Sequence, residues 1–119
     1  YMRVLVYGAS TNPARYAFIA TELLLSKGHE VVLVGHKPGE IDGIEIQVGQ
    51  PDLADIHTVT LYVGPKNQMD LLAYVMRLQP KRVIFNPGTE NPDLMKQLAA
   101  EGMEVDEACT LVMLHTGQF

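Results

Sequence analysis

Five consecutive residues, Gly8-Ala9-Ser10-Thr11-Asn12, follow the apolar run Val4–Tyr7 and lead into a helix-like stretch. They bring two hydroxyls, an amide and several backbone N–H groups to one place. N–H groups at the start of a helix, where the helix dipole is positive, suit an anion such as phosphate. The loop lacks the second and third glycines of G-x-G-x-x-G and the G-K-[ST] ending of a P-loop, so neither standard phosphate loop is present. Other apolar runs also end on glycine, at Val34-Gly35 and Val63-Gly64, and a fourth ends in Asn86-Pro87-Gly88-Thr89. A tight turn explains any one of these. Four at the carboxyl ends of parallel strands, where open α/β sheets place their ligands, point to a site.

The cations divide into two groups. Lys27, Arg77, Lys81, Arg82 and Lys96 fall at helix ends and strand starts, where a helix C-terminus favours positive charge without any ligand. Arg15, Lys37 and Lys66 follow strand-like runs on the expected ligand edge and are candidates for holding an anion. After the second run the chain reads Gly35-His36-Lys37, where an NAD-binding domain places an acid for the ribose hydroxyls. Cations there favour a phosphorylated ribose, as in NADP or coenzyme A (CoA). Tyr7, Tyr16 and Tyr62 fall near the same edge, where a ring could stack on a base; packing under the first helix accounts for Tyr16 equally well.

Other chemistry finds less support. His29, His36, His57 and His115 show no metal-binding spacing. His29 and His57 are expected in surface turns, and His36 at the ligand edge. Cys109 has Asp106 and Glu107 beside it rather than a base or cation, which favours a structural thiol over a nucleophile. There is no Ser-His-Asp set and no acid/base pair of carboxylates, so no catalytic constellation is expected.

The elements that would position these residues alternate along the chain. Arg3–Tyr7, Val31–Val34, Val59–Val63 and Val83–Phe85 are short and rich in valine, isoleucine and aromatics, as buried strands are, and a further short strand is expected near Glu104–Asp106. Ile44, Ile46 and Val48 alternate like another, in a segment that ends in a turn at Pro51–Asp55. Helical spacing appears at Tyr16, Ile19, Ala20, Leu23 and Leu24, at Leu71, Leu72, Val75 and Met76, and at Leu94, Met95 and Leu98, giving three amphipathic helices. Pro13 suits the first turn of the first helix, and Asn91-Pro92 opens the last. The expected fold is a single-domain, doubly wound α/β protein: a parallel sheet of about five strands in the order 3-2-1-4-5, inside three α/β/α layers. The apolar run Leu111–Leu114 is expected to pack on the sheet edge or to contribute to a homodimer.

With 119 residues, 47% hydrophobic and 19% charged, the chain has the composition of one globular domain. A net charge of −5 argues against general nucleic-acid binding, which needs a basic face. No apolar run approaches a membrane span or a signal sequence, and the single cysteine fits a reducing, cytoplasmic setting.

Taken together, these residues resemble the small stand-alone CoA-binding proteins, relatives of the CoA-binding domain of succinyl-CoA synthetase and acyl-CoA synthetases. The resemblance is carried by Val6-Tyr7-Gly8-Ala9-Ser10 with Asn12 and Pro13, Gly28–Val31 leading to Lys37, and Ile41-Asp42-Gly43. It continues through Val63-Gly64-Pro65, Asn86-Pro87-Gly88 with Glu90-Asn91, and Gly102–Val105 before Cys109. It implies a Rossmann-like domain that binds CoA or an acyl-CoA, in which Gly8, Ala9, Ser10 and Asn12 meet a pyrophosphate and His36 and Lys37 lie by the adenosine and its 3′-phosphate. Val63, Gly64 and Pro65 would flank the nucleotide, with Asn86, Gly88 and Thr89 towards the pantetheine arm. Thr11, Arg15, Tyr16, Gly35 and Pro87 complete the candidate site.

The expected function is non-catalytic binding of CoA or an acyl-CoA, in a carrier, sensor or regulatory role, by a monomer or homodimer. One alternative is an NADP-dependent reductase-like protein. Another is a protein-interaction module on a vestigial nucleotide-binding fold, whose partner would be a protein.

Overall fold

The computed structural model describes residues 1–119. Strands β1 (Arg3–Tyr7), β2 (Glu30–Gly35), β3 (Gly39–Ile41), β4 (Ile44–Val48), β5 (Thr58–Leu61), β6 (Arg82–Phe85) and β7 (Glu104–Glu107) form one sheet. Its helices are α1 (Tyr16–Ser26), α2 (Leu71–Leu78), α3 (Pro92–Ala100) and α4 (Thr110–His115), with a 3₁₀ turn at Pro65–Asn67. The strand order is β3-β4-β2-β1-β5-β6-β7, and every pair is parallel except β3 with β4.

The sheet therefore has seven strands, not about five. One addition has a local cause. Asp42 and Gly43 take φ of +50° and +84°, the pair of left-handed residues that a two-residue hairpin turn requires, and β3 folds back on β4 through them. The helix count is also higher than the expected three, because Leu111–Leu114 coils into α4 and packs against α1, burying Leu114. Pro13 lies in a turn ahead of α1 rather than in its first turn.

Alternation along the strands divides the core between the two sheet faces. Val4, Val6, Val31, Leu33 and Ile46 pack with Ala17 and Leu24 of α1 and Leu114 of α4. On the other face, Leu5, Val32, Val34, Val59, Leu61, Val83 and Phe85 pack with α2 and α3 through Leu71, Tyr74, Val75, Leu78, Leu94 and Leu98. The three layers bring the carboxyl ends of the six parallel strands to one edge. No helix is long and apolar enough to cross a membrane.

Candidate functional site

The chain leaves β1 at Gly8, whose φ of +102° only glycine takes readily. The N–H groups of Gly8 and Ala9 both donate to the carbonyl of Val34, at 2.8 and 2.9 Å, so they tie the loop to β2 rather than face outward. Past this anchor the loop holds itself. Ser10 Oγ accepts from the Asn12 N–H at 3.1 Å, and Asn12 Oδ1 from the Ala14 N–H at 3.0 Å. The N–H groups of Ser10 and Thr11 donate to no protein acceptor. Neither do those of Tyr16 and Ala17 have an acceptor within α1, as is general for the first residues of a helix, and Arg15 supplies no side-chain cap. The anion-competent part of the loop is thus Ser10 to Ala17, displaced towards the helix from the glycine that begins it.

Gly35 ends β2 directly beneath this loop. A Cβ there would lie 2.5 Å from the carbonyl oxygen of Ala9, closer than any side chain can sit. His36 and Lys37 follow, exposed. Across the edge, Tyr62, Val63 and Gly64 lead from β5 into the 3₁₀ turn, and Pro87, Gly88 and Thr89 form the loop after β6. Burial pushes the phenol of Tyr62 up to about 12, a shift the nearby hydroxyls of Thr110 and Thr60 partly offset.

Three adjoining clefts run along this edge. The first, about 450 Å³, lies between the β1 loop and the loops after β5 and β6; Ser10, Arg15, Tyr16, Val63, Gly64 and Gly88 line it. The second, about 560 Å³, is bounded by Tyr7, Val34, Gly35, Val48, Gln50 and Asp70. A third of about 280 Å³ is walled by Ser10, Thr11, Asn12, Arg15, Lys37 and Pro38. His36 borders all three. Their charges differ: Arg15 and Lys37 reach the third cleft and Arg15 the first, while the one acidic residue in the set, Asp70, borders the second.

Most of the residues singled out in the sequence meet here. Pro65 and Asn86 do not line these clefts. Pro65 opens the 3₁₀ turn. Asn86 is 2% exposed and turned inward, donating to Thr60 Oγ1 at 2.7 Å and the Leu61 carbonyl at 2.8 Å, and accepting from the Thr110 N–H at 2.8 Å. Lys66 is exposed on the 3₁₀ turn outside all three clefts. Tyr16 is 71% exposed, so packing under α1 does not account for it. Cys109 is a partly buried free thiol at the start of α4.

His29 and His57 are not in open surface turns. Both are partly buried at the opposite edge, where His29 Nδ1 accepts from the Met2 N–H at 3.2 Å and His57 Nδ1 lies 2.8 Å from Thr58 Oγ1. Burial first, then nearby positive charge including Arg82, holds both below the usual histidine value.

Gln50, Asn67, Gln68 and Asp70 carry no signal of motif or periodicity in the sequence, since they lie in short polar segments between elements.

A family model described as a CoA binding domain matches residues 2–115, and the chain belongs to that family. No curated protein matches it. The crystal structure of an uncharacterized protein is 47% identical, with a TM-score of 0.97, covering 99% of this chain and 98% of its own. A Thermus thermophilus protein is 27% identical with a TM-score of 0.85, over 99% of this chain and 90% of its own. A hypothetical protein from Pyrococcus horikoshii OT3 is 27% identical with a TM-score of 0.87, over 99% and 84%.

Proposed function

We propose that this member of the CoA-binding domain family binds coenzyme A or an acyl-CoA across the three clefts and carries out no reaction on it, serving as a carrier, a sensor or the regulatory component of another protein. The free cysteine supports a reducing, cytoplasmic setting. The observation that carries the reading is the way charge and space are sorted along one continuous edge. CoA offers anionic phosphates, a flat base and a long neutral arm. The third cleft has Lys37, Arg15 and the polar groups of Ser10, Thr11 and Asn12 for phosphate. The first cleft combines Arg15 with the uncharged loops Tyr62–Gly64 and Pro87–Thr89, as a phosphate continuing into a neutral arm requires.

The residues present fit such a ligand. Gly64 has an ordinary φ of −71°, so its backbone does not require glycine. A Cβ there would meet nothing nearer than the Gly88 carbonyl oxygen at 3.8 Å, and so would extend into open cleft. Glycine at this position keeps that space clear. His36 and Lys37 would lie by the adenosine and its 3′-phosphate, and Ser10 to Arg15 by the pyrophosphate. Val63 and Gly64, with Pro87, Gly88 and Thr89 beside them, would line the wall along the arm.

Calorimetric titration of nucleotide-free protein with CoA, acetyl-CoA, dephospho-CoA and NADPH tests the reading. CoA and acetyl-CoA are expected to bind more tightly than the other two. Preference for NADPH would replace the reading with a reductase-like one, and absence of heat from all four with a protein-interaction module.

A further inference from the structure

Gln68 lines none of the three clefts, yet its side chain touches two of the loops that line the first. It is 4% exposed, at the end of the 3₁₀ turn. Its Nε2 donates to the Val63 carbonyl at 2.9 Å and to the Thr89 carbonyl at 2.8 Å. Its Oε1 accepts from Asn91 Nδ2 at 2.9 Å, and Asn91 Oδ1 in turn accepts from the Leu94 N–H at 3.3 Å, capping α3. Carbonyls only accept, so the orientation of the Gln68 amide is fixed by its partners. Val63 and Thr89 both line the first cleft, in the neighbouring loops after β5 and β6 that face the β1 loop.

We infer that Gln68 is a positioning residue: it ties the neighbouring loops after β5 and β6 into one wall facing the β1 loop and so fixes where that wall stands against the arm of the bound ligand. This rests on the CoA reading above. Both amide hydrogens of one side chain are engaged, one on each loop, so neither loop can move away from the other without leaving a buried polar group unpaired. The tie to Asn91 anchors the amide to the start of α3. A wall held in its bound position takes up its ligand without first ordering the loops, which is where preorganisation gains affinity. Nothing in this arrangement touches the third cleft, so its effect belongs to the arm and not to the 3′-phosphate end.

The test compares CoA with adenosine 3′,5′-bisphosphate, which keeps the nucleotide end and lacks the arm, by calorimetry on the unsubstituted protein, Gln68→Met and Asn91→Ser. Methionine retains most of the volume of Gln68 without its hydrogen bonds. Serine at 91 keeps a capping hydroxyl for α3 while removing the amide that holds Gln68 Oε1. Gln68→Met is expected to weaken CoA by about tenfold, the scale of one net hydrogen bond, with the bisphosphate unchanged. Asn91→Ser should move the same ratio in the same direction by less. A general loss of folding would lower both affinities together and overturn a specific role in the cleft. Should Gln68→Met fail to fold, the ratio in Asn91→Ser decides. An unchanged ratio in folded variants, with CoA bound by the unsubstituted protein, overturns the role of Gln68 alone. Failure of the unsubstituted protein to bind CoA overturns the CoA reading and this role with it.

Discussion

Gly64 and Gly88 lie beside each other in the two loops that line the first cleft, with the position a Cβ would occupy on Gly64 lying 3.8 Å from the Gly88 carbonyl oxygen. The two glycines are there for different reasons. Gly88 has φ of +92° and needs glycine for its backbone; Gly64 does not. Gly64→Val should therefore fold with stability within about 0.5 kcal/mol of the original, as a surface substitution does. Its branched side chain would project into the cleft, and CoA affinity should fall at least about tenfold, or ~1.4 kcal/mol. Urea denaturation and calorimetry check the two halves, and an unaltered affinity would place the ligand elsewhere.

Gly35 presents the reverse case. Its backbone is that of an ordinary strand, but a Cβ would meet the Ala9 carbonyl oxygen at 2.5 Å. Because the obstacle is backbone, Gly35→Ala must push the β1 loop away from β2 and strain the Gly8 and Ala9 hydrogen bonds to Val34. A loss of about 1–3 kcal/mol in unfolding free energy is expected, typical of overpacking. CoA binding should weaken as well, since the same displacement moves Ser10.

Lys37 distinguishes CoA from its dephosphorylated form. It is exposed on the rim of the third cleft with no carboxylate partner. Lys37→Ala should weaken CoA by about 1–3 kcal/mol, the worth of a charge-assisted hydrogen bond, and leave dephospho-CoA nearly unchanged. Equal weakening of both in parallel titrations would remove Lys37 from the 3′-phosphate.

The parts of the fold legible in the sequence were those determined locally. The β1 loop, the glycine ends of the strands and the Asn91 cap of α3 follow from neighbouring residues, and Asn91 Oδ1 does accept from Leu94. In the β3–β4 hairpin the alternation of Ile44, Ile46 and Val48 marks β4, while β3, three residues long with Glu40 exposed, has too little apolar pattern to show that the chain folds back at Asp42-Gly43. At six residues, α4 is too short for its spacing to stand out. Gln68 could not be read at all, because its partners Val63, Thr89 and Asn91 meet only when β5 pairs with β6. Asn86 failed as a ligand-facing candidate for a related reason: the side of the loop it takes is decided by Thr60 and Thr110, far away in the chain.

Asn86 should therefore behave as a joint of the framework. Its amide connects β5, the end of β6 and the first residue of α4. Asn86→Ala leaves the Leu61 carbonyl and the Thr110 N–H without that partner in a buried place, which should cost about 2–4 kcal/mol of stability. The expected readout is a large fall in the urea midpoint, with CoA affinity, measured where the variant is fully folded, changed much less than in Gly64→Val. A selective loss of affinity at unchanged stability would return Asn86 to the ligand.

The opposite edge should make stability depend on pH between about 7.5 and 5.5, and His29 gives the sign. Burial, then the N-terminal amine and Arg82, hold its folded-state value below the usual 6.5. The unfolded chain therefore takes up the proton first as pH falls. Its contribution to stability is complete above about 6.5 and is lost as pH drops through the folded value. The geometry agrees: Nδ1 accepts the Met2 N–H at 3.2 Å, and a protonated ring would set one N–H against another. The ring also packs edge-on against Phe119, at 5.2 Å between centroids, beneath the Arg82 guanidinium 4.5 Å from that same ring, so a second positive charge would be crowded there. Urea midpoints at pH 7.5, 6.5 and 5.5 should decline for the original chain. His29→Asn, which keeps an acceptor and cannot titrate, should decline less, with His57, lowered in the same direction, supplying the remainder. An identical decline in His29→Asn would assign the whole effect to His57 or to groups outside this edge.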